Sequence, residues 1–490
     1  MQNPHPNNMQ TDQNFLTSPP LTAIKDPWMS KVFANIPLLE DLFKKYGSPV
    51  NIHHTEPFKK NYDRFTHVFD KHKLPHTIFF ARKANPCNGF VKESKRLDAG
   101  VDTASYHELK QCLDMGCNPK KLVLTAAVKN EELVHLALQH DVLMILDNED
   151  ECRLVNRIAG ELGKPTGIGV RISGFQYRGD KLYSRFGFHT DHVVEFITSC
   201  LGRANQYENL QFDGFHFHLD GYSTEQRSEA LLQSIFLADK LLAQGIRTSF
   251  IDMGGGILVN YLSSPSEWEA FWSELKRAVR GERAPVTFGN NGLGYELING
   301  KLHGEPDVYP YYNECSKEDF LDEVLSYQNQ QGETPASQLR ERGIEIRIEP
   351  GRSLLDQTGL TMAKVIHRKK DSQENWLVGL EMNRSQLGSS SADFLIDPVF
   401  IQAGKISIDM RSAPVFLTGG YCLEQDIILK RKIVLPCLPE VGDIVCFPNT
   451  AGYMMHFYET RSHLFEFSTN LVMDENKGTL GMYQDDKIRG

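Results

Sequence analysis

Between residues 75 and 350 the chain repeats one alternation. A short run of apolar and β-branched residues is followed by a longer segment whose apolar positions recur every third or fourth place. The short runs are 77–81 (TIFFA), 101–104 (VDTA), 122–125 (LVLT), 142–146 (VLMIL), 167–172 (GIGVRI), 212–217 (FDGFHF), 249–252 (SFID) and 344–348 (IEIRI), and each reads as a buried strand. The intervening segments, such as EELVHLALQH at 131–140, read as amphipathic helices. Eight such units predict an α/β fold, a (β/α)8 barrel of the TIM type, expected over residues 50–350. Ser105 and Glu108 have capping-box spacing, so helix is expected directly after the second strand.

The rhythm breaks in three places. Residues 257–340 are too many for one helix and predict a loop-rich insertion, whose glycines make no GxGxxG fingerprint. Beyond 352, alternating runs such as 361–368, 375–382, 426–436 and 443–448 lie between Gly, Pro and Ser clusters and predict a β-rich C-terminal domain over 351–480. At the other end, residues 1–30 open on polar Asn, Gln and Pro and are expected to form a disordered tail. A helix over 36–47 and a strand over 49–54 follow, and residues 31–49 are a candidate for joining the C-terminal domain.

Composition narrows the partners. With 40% hydrophobic and 24% charged residues and no apolar stretch of membrane-spanning length, no membrane partner is expected. A net charge of -10 works against nucleic acid and favours small-molecule chemistry. Nine scattered cysteines without CxxC pairs suit a reducing, cytoplasmic setting.

In such barrels chemistry gathers where strands end, which here means Lys83, Ser105, Asp147, Arg171, His218, Gly254, Gly255, Gly256, Glu349 and Arg352. Lys83, at the mouth of a buried strand, is either a solvated loop lysine or an amine held in a pocket for Schiff-base chemistry. Three consecutive glycines after the seventh strand free their backbone N–H groups for a phosphate, and Gly351 with Arg352 add close approach and a charged donor after the eighth. Glu349 is either the ion-pair partner of Arg352 or a carboxylate that keeps a pyridine nitrogen protonated. His216 and His218 share one strand face, but no third metal ligand stands at a convincing spacing. A ring stacked on a flat cofactor is the better use of His218, with His216 a core histidine.

The motifs FFARKANP, DTASYHEL, FHFHLDG, IDMGGG, IEPGR, GGYCLEQD and NTAGY, in this order across most of residues 75–455, resemble the fold-type III pyridoxal-phosphate decarboxylases, the family of ornithine, arginine and diaminopimelate decarboxylases. The resemblance implies pyridoxal 5'-phosphate as cofactor, with Lys83 as its Schiff-base lysine and His218 stacked on its ring. By the same resemblance Glu349 partners the pyridine nitrogen, while Gly254, Gly255, Gly256, Gly351, Arg352 and Tyr453 hold the phosphate. It further implies a head-to-tail homodimer in which Cys422 completes the neighbouring site as an acid. Read from the residues alone, Cys422 could equally be an inert thiol in a turn.

The chain departs from the family pattern in the residues that would meet the substrate. The acidic residue that usually follows the cysteine is replaced by Leu423, leaving Glu424 and Asp426 beyond it. The stretch MNRSQLGSSSADFLIDP at 382–398 carries Asp393 and Asp397 in place of the usual segment, and Asp220 stands where glycine is usual. Asp393 and Glu424 are therefore the candidates for substrate contact, and an unusual amino acid or amino-acid conjugate is expected. The resulting expectation is α-decarboxylation. An amino-acid racemase is the enzymatic rival, disfavoured because related alanine racemases place arginine where Glu349 stands, and a non-catalytic cofactor-binding protein is the rival from another class.

Overall fold

The structure, a computed structural model, describes residues 18–329, 331–388, 393–403, 411–474 and 480–485. They form two compact units, one of Phe58–Leu258 with Cys315–Leu355, the other of the described residues within 1–57, 259–314 and 356–490. The expected 257–340 insertion is thus divided between the units.

The first unit is a closed barrel of eight parallel strands: β1 (His76–Ala81), β2 (Gly100–Thr103), β3 (Leu122–Leu124), β4 (Leu143–Leu146), β5 (Thr166–Ser173), β6 (Leu210–His216), β7 (Phe250–Asp252) and β8 (Glu345–Ile348). Closure comes from β8 pairing with β1, Ile346 beside His76. All eight expected strands are present within two residues of their expected bounds. Inside, Phe79, Val123, Ile145 and Phe250 pack in one cluster. Glycine on a neighbouring strand makes room for these rings: a Cβ at Gly100 would overlap Phe79, and one at Gly214 would overlap Phe250. The helix Tyr106–Asp114 follows β2 as its sequence predicts, with Ser105 Oγ accepting from Glu108 N at 3.2 Å. Glu108 returns its bond one residue earlier than a capping box would, accepting from Ala104 N at 2.7 Å.

The second unit is built on a nine-stranded mixed sheet. The long strand Gly359–Lys370 pairs antiparallel with Val50–His53, Trp376–Leu380 and Ile444–Pro448, and Val50–His53 pairs parallel with Thr469–Met473. Of the expected run 426–436 only Ile433–Leu435 is strand. Part of the expected tail is ordered: the helix Pro27–Phe33 is capped by Asp26 and sets Trp28, Met29 and Val32 against Val50, Ile52 and Leu360. Full burial of side chains such as Met29 and Val32 is worth ~1.5–3 kcal/mol each, which explains why polar composition upstream did not extend to this helix. Residues 1–17 lie outside the described residues. Val259–Glu314 contributes the helix Pro265–Val279 and a hairpin, Tyr295–Ile298 with Lys301–Gly304. Among the described residues no helix is long and apolar enough to cross a membrane.

Candidate active site

After β1 the chain makes one short turn, Arg82–Ala84, fastened from behind by a buried guanidinium. Arg82 donates to Glu108 O at 2.8 Å and Asn88 Oδ1 at 2.9 Å, and also to Gln111. That anchoring fixes the next residue, Lys83, whose Nζ lies 3.0 Å from Oδ2 of Asp102 at the end of β2. Asp102 is buried, and its other oxygen accepts from Thr125 Oγ1 at 2.5 Å. Lys83 is itself exposed, and its amine meets a desolvated carboxylate.

A second acid cluster joins the ends of β6, β7 and β8. His216, Asp252 and Glu349 are buried, with one potential donor atom of each within 4.8 Å of the others. Nε2 of His216 is 3.3 Å from Oε1 of Glu349 but off hydrogen-bonding geometry, and both atoms lack a hydrogen-bond partner. Oδ1 of Asp252 accepts from Gly254 N at 2.9 Å, while Oδ2 has no hydrogen bond. His218, paired with His216 in the sequence reading, is not in this group; His216, Asp252 and Glu349 have the composition to hold a metal ion as well as to face a polar ring atom.

Burial sets the protonation of this cluster. It pushes the carboxyls of Asp102 and Glu349 above the ordinary range, and Asp252 well above it, with Glu349 adding repulsion on both aspartates. Lys83 pulls Asp102 and Glu349 partly back. His216 and His218 are held well below the usual imidazole range by burial, reinforced by Arg171 for His216 and by Lys83 for His218. At neutral pH both rings are uncharged.

The glycine turn lies beside His218. A Cβ on Gly254 would stand 2.8 Å from Phe217 O and 3.0 Å from His218 Cδ2, and one on Gly255 would stand 2.8 Å from Glu349 O. Gly254 and Gly256 adopt φ of +66° and +76°, where glycine is favoured. Among the described residues the amides of Gly255 and Gly256 make no hydrogen bond. Gly351 and Arg352 follow β8 in the same unit, with Gly351 O accepting from Leu355 N at 3.2 Å.

Residues 56–289 match the family described as pyridoxal-dependent decarboxylase, pyridoxal binding domain. The chain is 28% identical over 431 residues to an uncharacterized protein of Sinorhizobium fredii, y4yA, covering 87% of this chain and 88% of that one. It is 26% identical over 461 residues to diaminopimelate decarboxylase of Vibrio cholerae, covering 90% of each. Among solved structures, diaminopimelate decarboxylase from Helicobacter pylori complexed with L-lysine superimposes with a TM-score of 0.66 at 18% identity, over 91% of this chain and 95% of that one. The chain is thus similar to the pyridoxal-dependent decarboxylases over its barrel, as a divergent relative.

The residues fit the cofactor of that family. The buried Oε1 of Glu349 lacks a hydrogen bond, and the unpartnered amides of Gly255 and Gly256 stand where any side chain would crowd the turn. Sequence reasoning missed Asp102 and Asp252; the signal that could have found them is an aspartate at the C-terminal end of a barrel strand.

The remaining expected site residues lie in the β-rich unit. Tyr453 has φ +65°, uncommon for a bulky residue, and its ring meets Phe457 edge-on at 5.7 Å. Cys422 and Glu424 are exposed on the loop after Gly419–Gly420. Asp426 organises that loop, accepting from Tyr421 N at 2.7 Å and Arg384 N at 2.8 Å, and so is spent on backbone. Asp397 accepts from Leu21 N at 2.9 Å and Arg431 Nη2 at 2.5 Å. Asp393 is buried, with Oδ1 accepting from Lys430 N at 3.2 Å and Oδ2 buried without a hydrogen bond. Residues 389–392 of the Ser-rich stretch lie outside the described residues.

Proposed function

We propose that the protein is a pyridoxal-phosphate-dependent decarboxylase that removes the α-carboxylate of an amino acid or amino-acid conjugate. The observation that carries this reading is Glu349, a buried carboxyl with an oxygen lacking any hydrogen bond, in the barrel that also holds Lys83. Bound pyridoxal phosphate supplies an electron-deficient ring that takes up the electron pair left at Cα when CO2 departs.

Lys83 holds the cofactor and gives way to the substrate amine, and Asp102 supplies the counter-charge for its amine. Glu349 keeps a proton at the pyridine nitrogen. His218 offers an uncharged ring to the cofactor face. Gly254, Gly255, Gly256, Gly351, Arg352 and Tyr453 hold the phosphate. The active form is a head-to-tail homodimer in which Cys422 of the partner subunit returns a proton to Cα. Glu424, with Asp393, meets the distal part of the substrate. Nine cysteines scattered without CxxC pairs support a cytoplasmic setting.

The test is incubation of the cofactor-loaded protein with pooled amino acids and conjugated diamino acids, followed by mass spectrometry. One component losing the mass of CO2 is expected. Solvent deuterium entering Cα without CO2 release would replace decarboxylation by racemisation. No turnover or spectral change with any component would favour a binding protein.

A further inference from the structure

Arg227 sits in the first turn of the helix Thr224–Leu242, which follows β6, and is fully buried. Its Nη1 donates to Gly221 O at 3.1 Å and its Nη2 to Gly255 O at 2.9 Å. Nε makes no hydrogen bond, and the guanidinium carbon lies 5.6 Å from the centre of the Phe320 ring. Among the described residues no carboxylate pairs with it. Burying an unpaired cation is costly, and the positive end of a helix makes the position worse. Fastening two carbonyls would need only a neutral donor, so the charge itself requires an explanation.

We propose that Arg227 is a positioning residue for the anionic phosphate of the cofactor, acting through the glycine turn, and that the phosphate is its counter-charge. The inference rests on the pyridoxal-phosphate reading of the site. In a planar trans peptide the C=O and N–H point in opposite directions, so the bond from Nη2 to Gly255 O turns the N–H of Gly256 away from the guanidinium. That amide and its neighbour on Gly255 are the two without hydrogen bonds. The same geometry forbids a side chain at Gly256, whose Cβ would overlap Nη2. Tyr222 lies within electrostatic reach of both Arg227 and Arg352. Burial lowers the pKa of Arg227 only to about 10, which leaves it charged at neutral pH. A buried, fixed cation and two directed amides describe a site for an anion.

The test is equilibrium dialysis of the full-length wild type, Arg227→Met and Arg227→Lys against pyridoxal phosphate and against pyridoxal, which lacks the phosphate. Arg227→Met should lose roughly tenfold or more of its affinity for pyridoxal phosphate with pyridoxal binding unchanged, and Arg227→Lys should restore most of the difference. Equal weakening toward both ligands, or none, would overturn the proposal and leave Arg227 a fastener of the turn. If Arg227→Met does not fold, Arg227→Gln keeps a donor for Gly255 O, and the phosphorus resonance of bound cofactor is followed against pH. The phosphate should then take up its proton at higher pH than in wild type, and an unchanged titration would overturn the proposal. A wild type that binds neither ligand overturns the cofactor reading itself, an outcome distinct from a variant that keeps its full preference.

Discussion

Nζ of Lys83 lies 3.0 Å from Oδ2 of Asp102, a carboxylate whose side chain is 1% exposed. Removing a nearby anion disfavours the charged form of an amine, so Asp102→Asn lowers the pKa of Lys83. Reductive labelling of Lys83 by pyridoxal and borohydride should reach its half-maximum at lower pH than in wild type. Turnover should fall by roughly 10- to 100-fold, the range for loss of one positioned charge. An unchanged labelling profile would remove the ion pair from the account of how this lysine is prepared.

Glu349→Gln separates cofactor attachment from chemistry. The amide is nearly isosteric but cannot serve as the anionic partner of a protonated ring nitrogen, so Lys83 should still be labelled while CO2 release drops by roughly 100-fold or more. Retention of wild-type turnover would move the electron-sink role away from this residue.

Asp393 supplies a stability test in the β-rich unit. Burial raises its carboxyl pKa to about 6, above the ~3.9 of an unfolded chain. The folded state therefore holds a proton that the unfolded state has lost between these values. Stability associated with this group is fully present below about pH 4 and is lost as pH rises to about 6. Asp393→Asn still offers an oxygen to Lys430 N and should flatten this dependence. The expected gain is ~1–3 kcal/mol at pH 7.5 relative to wild type, with little difference at pH 4. Urea unfolding at both pH values reads it, and equal differences at the two would refute the assignment.

The barrel was legible because its strands are buried on both faces, so runs such as TIFFA and VLMIL stand out without knowledge of their partners. The glycine turn and the carboxylate at Glu349 were legible for a related reason: each follows a strand directly, where a barrel places its chemistry. Asp102 and Asp252 were not, because their environments come from strands far apart in sequence, and only closure brings Glu349 near both. The β-rich unit was read less well. Val50–His53 takes its neighbours from residues 359–362 and 469–472, pairings that no local pattern encodes. Asp426 stands four residues beyond Cys422, and no local pattern shows that its carboxylate accepts from the amides of Tyr421 and the distant Arg384.

That commitment makes Asp426 the residue whose loss should loosen the Cys422 loop. Its two oxygens accept from Arg384 N and Tyr421 N, and its backbone joins Gly419 and Leu423. A Cβ at Gly419 would overlap Oδ2, so the glycine is required for the carboxylate to reach both amides. Asp426→Ala leaves these amides without acceptors, at a cost of about 2–4 kcal/mol if both remain buried and less if water reaches them. Water will reach them most easily where Cys422, Leu423 and Glu424 are already exposed, so the effect should be local opening more than global unfolding. Limited proteolysis should cut between residues 419 and 426 faster in Asp426→Ala than in wild type, while barrel peptides keep their protection from hydrogen exchange. Asp426→Asn, which retains one acceptor oxygen, should be intermediate. Identical cleavage rates in all three proteins would show that the loop holds its shape without this carboxylate.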